Sequence, residues 1–390
     1  MATSYDPRMW RPPVLALGWL TISAYGAWFY GFGALLDDIV ASTGWPEPAV
    51  VAVASGSALL AGAGAIGVGQ FLDRLGSRGV FLVGIAGSIL LAGAAGSRSL
   101  TAFAAFGVLG GGVVGAAGHY HATLATAAAL SPGEASRAIA RVTLIGAFSS
   151  TLFLPLAGWL TAWQGWRVGL VVLCLLAASG FVWAAASAAS PSRTANHPPS
   201  RIRWSRLAVV AIVSSFLGAA GYGTVSTYQV AVMVSLGLTL PVAASLAGLR
   251  GVAQFLGRLP IDRVVARFGS RRGLVGANLV IAGGTALLWW SGSPAVAAVF
   301  ALISGVGIGA FSPLSGILAV DAVGTERVGS LMGLQAAAAG LGIALGPFTA
   351  ATAVQVFGDR RAAVVVSVAF AFAAALSLAA AGRARRAVPR

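Results

Sequence analysis

The chain has 390 residues, of which 58% are hydrophobic and 9% are charged, and its mean hydropathy is +0.87. This composition excludes an ordinary soluble protein and predicts an all-α polytopic membrane protein. The net charge of +15 comes from 25 basic residues, all arginines, against ten acidic residues. Because the arginines fall in small groups between hydrophobic segments, we expect them to set membrane topology in the lipid bilayer and not to bind nucleic acid.

About twelve hydrophobic segments are long enough to cross a bilayer, since a transmembrane helix needs roughly 20 apolar residues. The first segment is too long for the core of a signal peptide, so we expect it to be retained as a helix. The predicted spans, numbered helices 1 to 12, are 13–36, 48–70, 79–97, 101–127, 138–161, 168–189, 207–235, 240–264, 273–291, 294–319, 328–355 and 361–381.

The arginines between the predicted helices fall mainly on one side of the membrane. With both termini placed in the cytoplasm, nineteen arginines lie in cytoplasmic segments, whereas Arg98, Arg167, Arg360 and Arg361 lie outside. The positive-inside rule therefore predicts that both termini are cytoplasmic.

Two short patterns recur at one constant spacing. The hexapeptide DRLGSR at 73–78 returns as ARFGSR at 266–271, and Gly165 and Arg167 return as Gly358 and Arg360, in each case 193 residues later. A shared offset at two unrelated places implies a duplicated six-helix unit, as in many secondary transporters. The polar stretch 190–206 is then a cytoplasmic linker between an N-terminal bundle at 1–189 and a C-terminal bundle at 207–390.

The loop after predicted helix 2 carries the most specific motif. GQFLDRLGSR at 69–78 resembles the signature loop of the major facilitator superfamily, which reads Gly, three residues, Asp-Arg, one residue, Gly and then basic residues. The helix count, the central linker and the degenerate second copy extend the resemblance over the whole chain. It implies twelve transmembrane helices in two pseudo-symmetric six-helix bundles that transport by alternating access.

Asp73, Arg74 and Arg78 in this loop are candidate gating residues. A carboxylate at a helix end can bond a neighbouring helix terminus or arginine, so Asp73 can act as a latch that holds one conformation closed. The alternative is that the three residues only anchor the loop and set its orientation. In the second copy Ala266 stands at the aspartate position, so either Asp262 compensates or the second latch is absent.

Predicted helix 4 contains the sequence Gly-His-Tyr-His at 118–121. Histidine titrates near neutral pH, so His119 and His121 are candidate proton carriers. On a regular helix they point about 200° apart, so we expect at most one of them to face a cavity. The alternative for each is a core histidine bonded to a backbone carbonyl. Two histidines at this spacing do not converge on a metal ion, so we expect no metal site, and nothing indicates a cofactor.

Predicted helix 8 contains charges inside an apolar segment. Arg250, Gln254, Arg258 and Asp262 are spaced by four and form one stripe on a helix, with about 12 Å between the two arginines. A buried guanidinium is tolerable beside a wet cavity or an anion, and its planar fork matches a carboxylate. The alternative is structural, with Arg258 paired to Asp262 and Arg250 capping carbonyls. Since one acid cannot neutralise two arginines, an anionic substrate would supply the missing charge.

Three segments are similar to the bacterial monocarboxylate and oxalate/formate transporter branch of the superfamily: residues 44–56, residues 133–160 and the Gly257-Arg258 pair. This resemblance implies that Arg258 binds the substrate carboxylate. We expect Arg250, Gln254, Tyr120 and Tyr30 to complete the pocket. The animal monocarboxylate transporters carry functional lysines, but this chain has no lysine, so their proton-coupling scheme does not transfer.

The sequence thus predicts a monomeric secondary transporter of the bacterial inner membrane that moves a small organic anion, a monocarboxylate, with protons as the coupling ion. Asp262 is a third candidate for proton coupling, beside His119 and His121. The alternative is an efflux pump for hydrophobic drugs or metabolites. Drug antiporters of the superfamily usually show a Gly-Pro-rich signature in helix 5, which residues 144–160 lack. We expect no enzymatic activity, because no catalytic cluster is present.

Overall fold

A computed structural model describes residues 12–131, 135–188, 204–323 and 328–381. Helices 1 to 6 form the first half of the described chain. Helix 1 consists of Pro12–Ala24, the π-helical segment Tyr25–Tyr30 and Gly31–Thr43. Helices 2 and 3 are the two arms of Glu47–Gly93, which is kinked at Gly76, and helix 4 is Leu100–Gly118 followed by Tyr120–Leu130. Helix 5 is Ala135–Gly146 with the part of Ser149–Ser187 before Gly165, and helix 6 is the part of that segment after Gly165.

The second half repeats this order. Helix 7 is Arg206–Ser235; helix 8 is Leu240–Arg258 with the start of Ile261–Ala286, and helix 9 is the rest of that segment, beyond Gly269; helix 10 is Pro294–Val323, helix 11 is Val328–Phe357 and helix 12 is Ala362–Ala380. Short 3₁₀ turns, Ala94–Gly96 and Leu287–Trp290, extend helices 3 and 9.

Ten helical stretches of the described chain are long and apolar enough to cross a membrane. Helix 1 is not among them because its π-helical segment divides it, and one stretch, 141–187, contains both helix 5 and helix 6. Adding helix 1 and counting 141–187 as two helices brings the ten stretches to twelve helices. The predicted all-α membrane fold of two six-helix bundles is confirmed.

Glycines with positive φ reveal the duplication in the backbone. Six described residues have positive φ, and they form three pairs that are each 193 residues apart: Gly44 and Gly237, Gly76 and Gly269, and Gly165 and Gly358. Only glycine adopts this conformation without strain, so each pair marks an equivalent turn between two helices. The offset in the sequence therefore has a direct structural counterpart. We call the end with Gly76 and Gly269 the signature-loop end, and the end with Gly44, Gly165 and Gly358 the opposite end.

The two halves meet through small residues. Gly62 of helix 2 lies against the backbone of Gly340 in helix 11, and a Cβ on Gly33 of helix 1 would come within 2.8 Å of carbonyl oxygens in helix 7. Gly158 of helix 5 packs on Ala244 of helix 8. Small residues allow helix backbones to approach closely in a membrane, where packing replaces the hydrophobic driving force. Large apolar side chains instead occupy the exposed outer surface, among them Leu175, Trp183, Val356 and Phe357.

Candidate central site between the two halves

A cavity of about 420 Å³ lies between the halves, near the middle of the helices. Helix 1 contributes an aromatic wall, which comprises Tyr25, Trp28, Phe29 and Phe32. Helices 2 and 11 contribute a small-residue wall, which comprises Ala54, Ala58, Ala61, Gly62, Ala65, Ala336, Ala339 and Gly340. The remaining lining residues include His119, Tyr120 and His121 of helix 4 and Ser312 of helix 10. A cavity of this size and position is typical of a binding site for a small molecule.

The aromatic wall is built on the π-helical segment of helix 1. This segment, Tyr25–Tyr30, reads YGAWFY and widens the helix by inserting extra backbone into one turn. The indole nitrogen of Trp28 donates a hydrogen bond to Ser57 Oγ at 2.7 Å, which fixes the wall against helix 2. Such π-turns occur frequently at functional sites. The sequence contains no pattern from which this turn could be predicted.

Helix 4 is interrupted at the cavity. His119 has extended backbone torsions, φ −77° and ψ 175°, so one helix ends at Gly118 and the next begins at Tyr120. The expectation that at most one histidine faces the cavity is therefore wrong, because the regular helical geometry behind it does not hold here, and both histidines line the cavity. Their rings are 6.3 Å apart. The break also places two helix ends of opposite partial charge side by side in the middle of the bundle, the negative end at Gly118 and the positive end at Tyr120.

The two histidines have different surroundings. His119 stacks on Tyr25, with ring centroids 3.8 Å apart and an interplanar angle of 5°. His121 Nε2 lies 2.8 Å from the Ala116 carbonyl oxygen, as in the alternative of a core histidine bonded to the backbone. His119 bonds the backbone of Ala24 as well, so the two histidines differ in the stacking of His119 on Tyr25 and not in having a backbone partner.

Arg258 and Tyr120 converge on one carbonyl from opposite halves of the chain. Arg258 Nη1 donates to the Thr143 oxygen at 3.2 Å, and the Tyr120 hydroxyl donates to the same oxygen at 3.4 Å. The guanidinium also interacts electrostatically with the Tyr120 phenol. Asp262 is exposed and forms no ion pair with Arg258, whose Nε is buried without a partner in the described part of the chain. The alternative of an Arg258–Asp262 pair is therefore not what the structure shows.

Arg250 is the most deeply buried charge in the described residues, with 2% of its surface exposed. Its Nη1 donates to Gln229 Oε1 at 2.6 Å, and the guanidinium lies 5.7 Å from the ring centroids of Tyr222 and Phe300. Within the described chain its Nε and Nη2 have no hydrogen-bond partner, and no carboxylate there pairs with it. The Tyr222 hydroxyl lies 2.5 Å from the hydroxyl of Tyr30 in helix 1. Arg250 thus stands behind a tyrosine pair that links the two halves.

The internal duplication shows which way the stripe of helix 8 faces. Arg250, Gln254 and Arg258 correspond, 193 residues earlier, to Ser57, Ala61 and Ala65 of helix 2. All three helix 2 residues line the cavity. The stripe therefore occupies the equivalent surface of the other half, turned toward the central axis. Of the predicted pocket residues, Tyr120 lines the cavity, whereas Arg250, Gln254, Arg258 and Tyr30 lie outside its immediate lining.

The signature loops are described only in part. The side chains of Asp73 and Arg74 lie outside the described residues, and Arg78 is exposed. In the second copy, Ser270 Oγ donates to a carboxylate oxygen of Asp321 in helix 10. The acid bonded to this loop is thus Asp321, and the latch assigned to Asp73 stays a prediction.

The opposite end carries an ion-pair network that joins the halves. Arg360, between helices 11 and 12, places Nη1 2.5 Å from Asp37 Oδ1 and Nη2 3.4 Å from Glu47 Oε2. Asp37 lies in the last two turns of helix 1 and Glu47 begins helix 2, so the contacts with Arg360 cross from one half to the other. The equivalent arginine of the first half, Arg167, stays within its own half and donates to the carbonyl oxygens of Ala95 and Ser97. We call the Asp37–Arg360–Glu47 network the interhalf bolt.

A cavity between two duplicated helix bundles is the construction of a secondary transporter. The model of the Major Facilitator Superfamily matches the chain twice, over residues 17–212 and 210–389. The chain belongs to this superfamily, which confirms the wider of the two resemblances. No curated protein sequence matches it.

Solved transporters share this fold at low sequence identity. The nucleoside transporter NupG has a TM-score of 0.77 and 15% identity, covering 95% of this chain and 99% of that one. A D-xylose-proton symporter has 0.70 and 19%, covering 94% and 96%. The human organic anion transporter MFSD10 has 0.63 and 20%, covering 96% and 100%.

Proposed function

We propose that this protein is a secondary active transporter that moves a small organic anion, a monocarboxylate, by alternating access coupled to protons. One observation carries the proposal: two guanidiniums of helix 8, Arg250 and Arg258, lie beside the central cavity without a described carboxylate partner. An uncompensated charge inside a membrane protein costs several kcal/mol. A carboxylate that enters the cavity neutralises that charge and accepts its unused donors.

The rest of the cavity favours an anion over a cation. No aspartate or glutamate is among its described lining residues, so a cationic drug finds no counter-charge there. Tyr120 lines the cavity and shares the Thr143 carbonyl with Arg258, so the guanidinium favours a carboxylate near Tyr120. Efflux of a hydrophobic cation, the alternative function, is less well supported for these reasons.

We assign proton coupling to His119. Its ring is stacked on Tyr25 inside the cavity, whereas His121 has no such stacking partner among the described ring contacts and Asp262 is exposed away from the lining; both histidines also bond a backbone group, His119 at Ala24 and His121 at Ala116. A titrating group next to the anion site couples the two events, because a protonated histidine attracts the carboxylate and a bound carboxylate favours the protonated histidine.

We further propose that both termini face the cytoplasm of a bacterium, that the protein is monomeric and that the bundles are 1–189 and 207–390. This orientation follows from the arginine distribution and places the interhalf bolt on the outer side. The bolt must then break whenever the cavity opens outward, while Asp73, Arg74 and Arg78 act at the inner side.

A thermal-shift experiment on the purified protein tests the anion proposal. We expect monocarboxylates to stabilise it by about 2.7 kcal/mol at 100 times their Kd, whereas the corresponding neutral amides do not. Arg258→Gln should abolish this effect. Arg258→Lys should reduce it sharply, because lysine lacks the bidentate fork. Arg263→Gln, an exposed arginine near the same helix, is the control and should bind like the unmodified protein. Equal stabilisation by acids and amides would contradict the proposal.

The superfamily fold does not decide the substrate by itself. The solved relatives include transporters of nucleosides, of xylose and of organic anions on the same architecture. Function lies in the site and not in the fold, so the unpaired arginines are the relevant evidence.

A further inference from the structure

We infer that the substrate is an amphipathic monocarboxylate whose apolar body is flat and of aromatic size, and that the aromatic wall and the small-residue wall bind this body. The negative charge of the substrate rests on the function proposed above. The size and apolar character of the body rest on the cavity alone.

The volume of the cavity exceeds what the smallest carboxylates fill. At about 30 Å³ for each water molecule, a volume of about 420 Å³ corresponds to roughly fourteen waters. Formate and acetate have three and four heavy atoms, so most of the cavity would remain hydrated around them. A six-membered ring with a carboxylate displaces a much larger share of that water.

The two walls differ in a way that suits a flat group. The aromatic wall contributes the rings of Tyr25, Trp28 and Phe29, and aromatic rings pack well against planar partners either face to face or edge to face. The small-residue wall consists of alanines and glycines, which keep the space beside helices 2 and 11 free. A planar body fits against such surfaces with little loss of contact.

Part of the polar lining is already bonded within the protein. Ser57 accepts from Trp28 and donates to the Ala54 carbonyl, and His121 bonds Ala116. Ser55 lines the cavity, is 7% exposed, and its hydroxyl has no partner among the described residues. Thr227 and Ser312 add two further hydroxyl groups, but the lining is mostly apolar, so a sugar or a nucleoside with several hydroxyl groups would leave some of them unsatisfied here, at a free-energy penalty. A substrate with a single polar group leaves fewer hydrogen bonds unsatisfied and therefore loses less binding free energy.

Substitutions that narrow the cavity test this inference. Ala58→Leu and Ala339→Leu each place a larger side chain on the small-residue wall, from two different helices. Ala63→Leu is the matched control, because Ala63 lies on helix 2, is exposed on the outer surface and does not line the cavity. The dissociation constants of benzoate, acetate and benzamide are measured by thermal shift and by competition in proteoliposomes.

We expect benzoate to bind at least roughly tenfold more tightly than acetate, since each buried methylene-sized group contributes a factor of about four. Ala58→Leu and Ala339→Leu should weaken benzoate by roughly tenfold and acetate much less, and Ala63→Leu should change neither. Equal affinities for acetate and benzoate, or an equal loss of both in the variants, would overturn the inference while leaving an anion transporter. Benzamide binding as tightly as benzoate would instead overturn the proposed anion function.

Discussion

Breaking the interhalf bolt should open the cavity toward the opposite end. Arg360 is the only residue among the described contacts that pairs with both Asp37 and Glu47 across the halves. Burial lowers the pKa of the Arg360 guanidinium, but the two carboxylates more than offset this and raise the pKa above its ordinary value. The Arg360 guanidinium therefore stays charged at any physiological pH. Arg360→Gln removes the charge and keeps a side chain of similar length.

The size of the effect follows from the geometry of the bolt. The side chains of Arg360, Asp37 and Glu47 are 22%, 25% and 16% exposed, so water screens the pairs only in part. Exposed pairs contribute about 0.2–1 kcal/mol, and partly buried pairs at these distances lie at the upper limit. Two such pairs stabilise the closed state by about 2 kcal/mol. Since 1.36 kcal/mol is tenfold, Arg360→Gln should raise the open population by about 30-fold.

Cysteine accessibility measures this population. Cys174 is the only cysteine and is buried, so Cys174→Ala provides a cysteine-free background. A reporter Ser55→Cys then sits in the cavity. A membrane-impermeant maleimide, added on the side where Arg360 lies, should label this reporter about 30 times faster in Arg360→Gln than in the parent protein.

The neighbouring arginine provides the control. Arg361 pairs with Asp359 in the same loop, at 2.8 Å, and does not cross to the other half. Arg361→Gln should therefore leave the labelling rate unchanged. Combining Asp37→Asn with Arg360→Gln should raise the labelling rate little beyond that of Arg360→Gln alone, because both substitutions remove the same Asp37–Arg360 ion pair. An unchanged rate in Arg360→Gln, or an equal increase in Arg361→Gln, would refute the role of the bolt.

Two further predictions concern single side chains. His119→Phe keeps a ring on Tyr25 but removes the titrating group, so uptake into proteoliposomes should lose its response to a pH gradient while carboxylate affinity changes only a few-fold; retained pH dependence would exclude His119 as the proton carrier. Asp38→Ala removes the carboxylate that accepts from the Trp166 N–H at 2.7 Å where helix 6 begins, so stability should fall by about 1 kcal/mol in a thermal melt, with carboxylate affinity unchanged; an unaltered melting temperature would contradict the capping role.

The sequence was sufficient to predict the architecture because that architecture depends on repeated local signals. Hydrophobic length predicts each helix, and the arginine distribution predicts an orientation in the membrane. The offset of 193 residues came from Arg74 with Gly76 and from Gly165 with Arg167, and the structure repeats it at the positive-φ glycines. These positions can be recognised in the sequence because only glycine adopts their backbone conformation without strain.

The site was less predictable because it departs from regular helices. The π-helical segment Tyr25–Tyr30 and the break at His119 both violate the 3.6-residue period on which helical projections depend. These two irregularities bring the aromatic wall and both histidines to the cavity. The stripe of Arg250, Gln254 and Arg258 could be identified as unusual from sequence. Its position behind Tyr222 and Tyr120, outside the immediate lining, could not.

The interhalf bolt shows why comparison of the two halves is informative. Arg167 and Arg360 occupy equivalent positions and are both arginines, so the sequence alone gives them the same role. Their partners differ, because Asp37 and Glu47 correspond to the apolar residues Val230 and Leu240 in the second half. Because no acid stands at those positions, Arg167 forms no equivalent ion pair across the halves of the described chain. It instead donates to carbonyl oxygens at the end of helix 3 in its own half.

The same comparison separates structural from functional residues throughout the chain. Where both halves keep the same residue, as at Gly76 and Gly269, the backbone requires it in each copy. Where the two halves carry different residues at equivalent positions, the shared fold does not require either residue. Arg258 corresponds to the apolar Ala65, and His119 corresponds to Ser312. A duplicated transporter must bind one asymmetric substrate on a pseudo-symmetric frame. With the substrate proposed above, the cationic side in helix 8 and the aromatic wall in helix 1 supply that asymmetry, one for each end of an amphipathic acid.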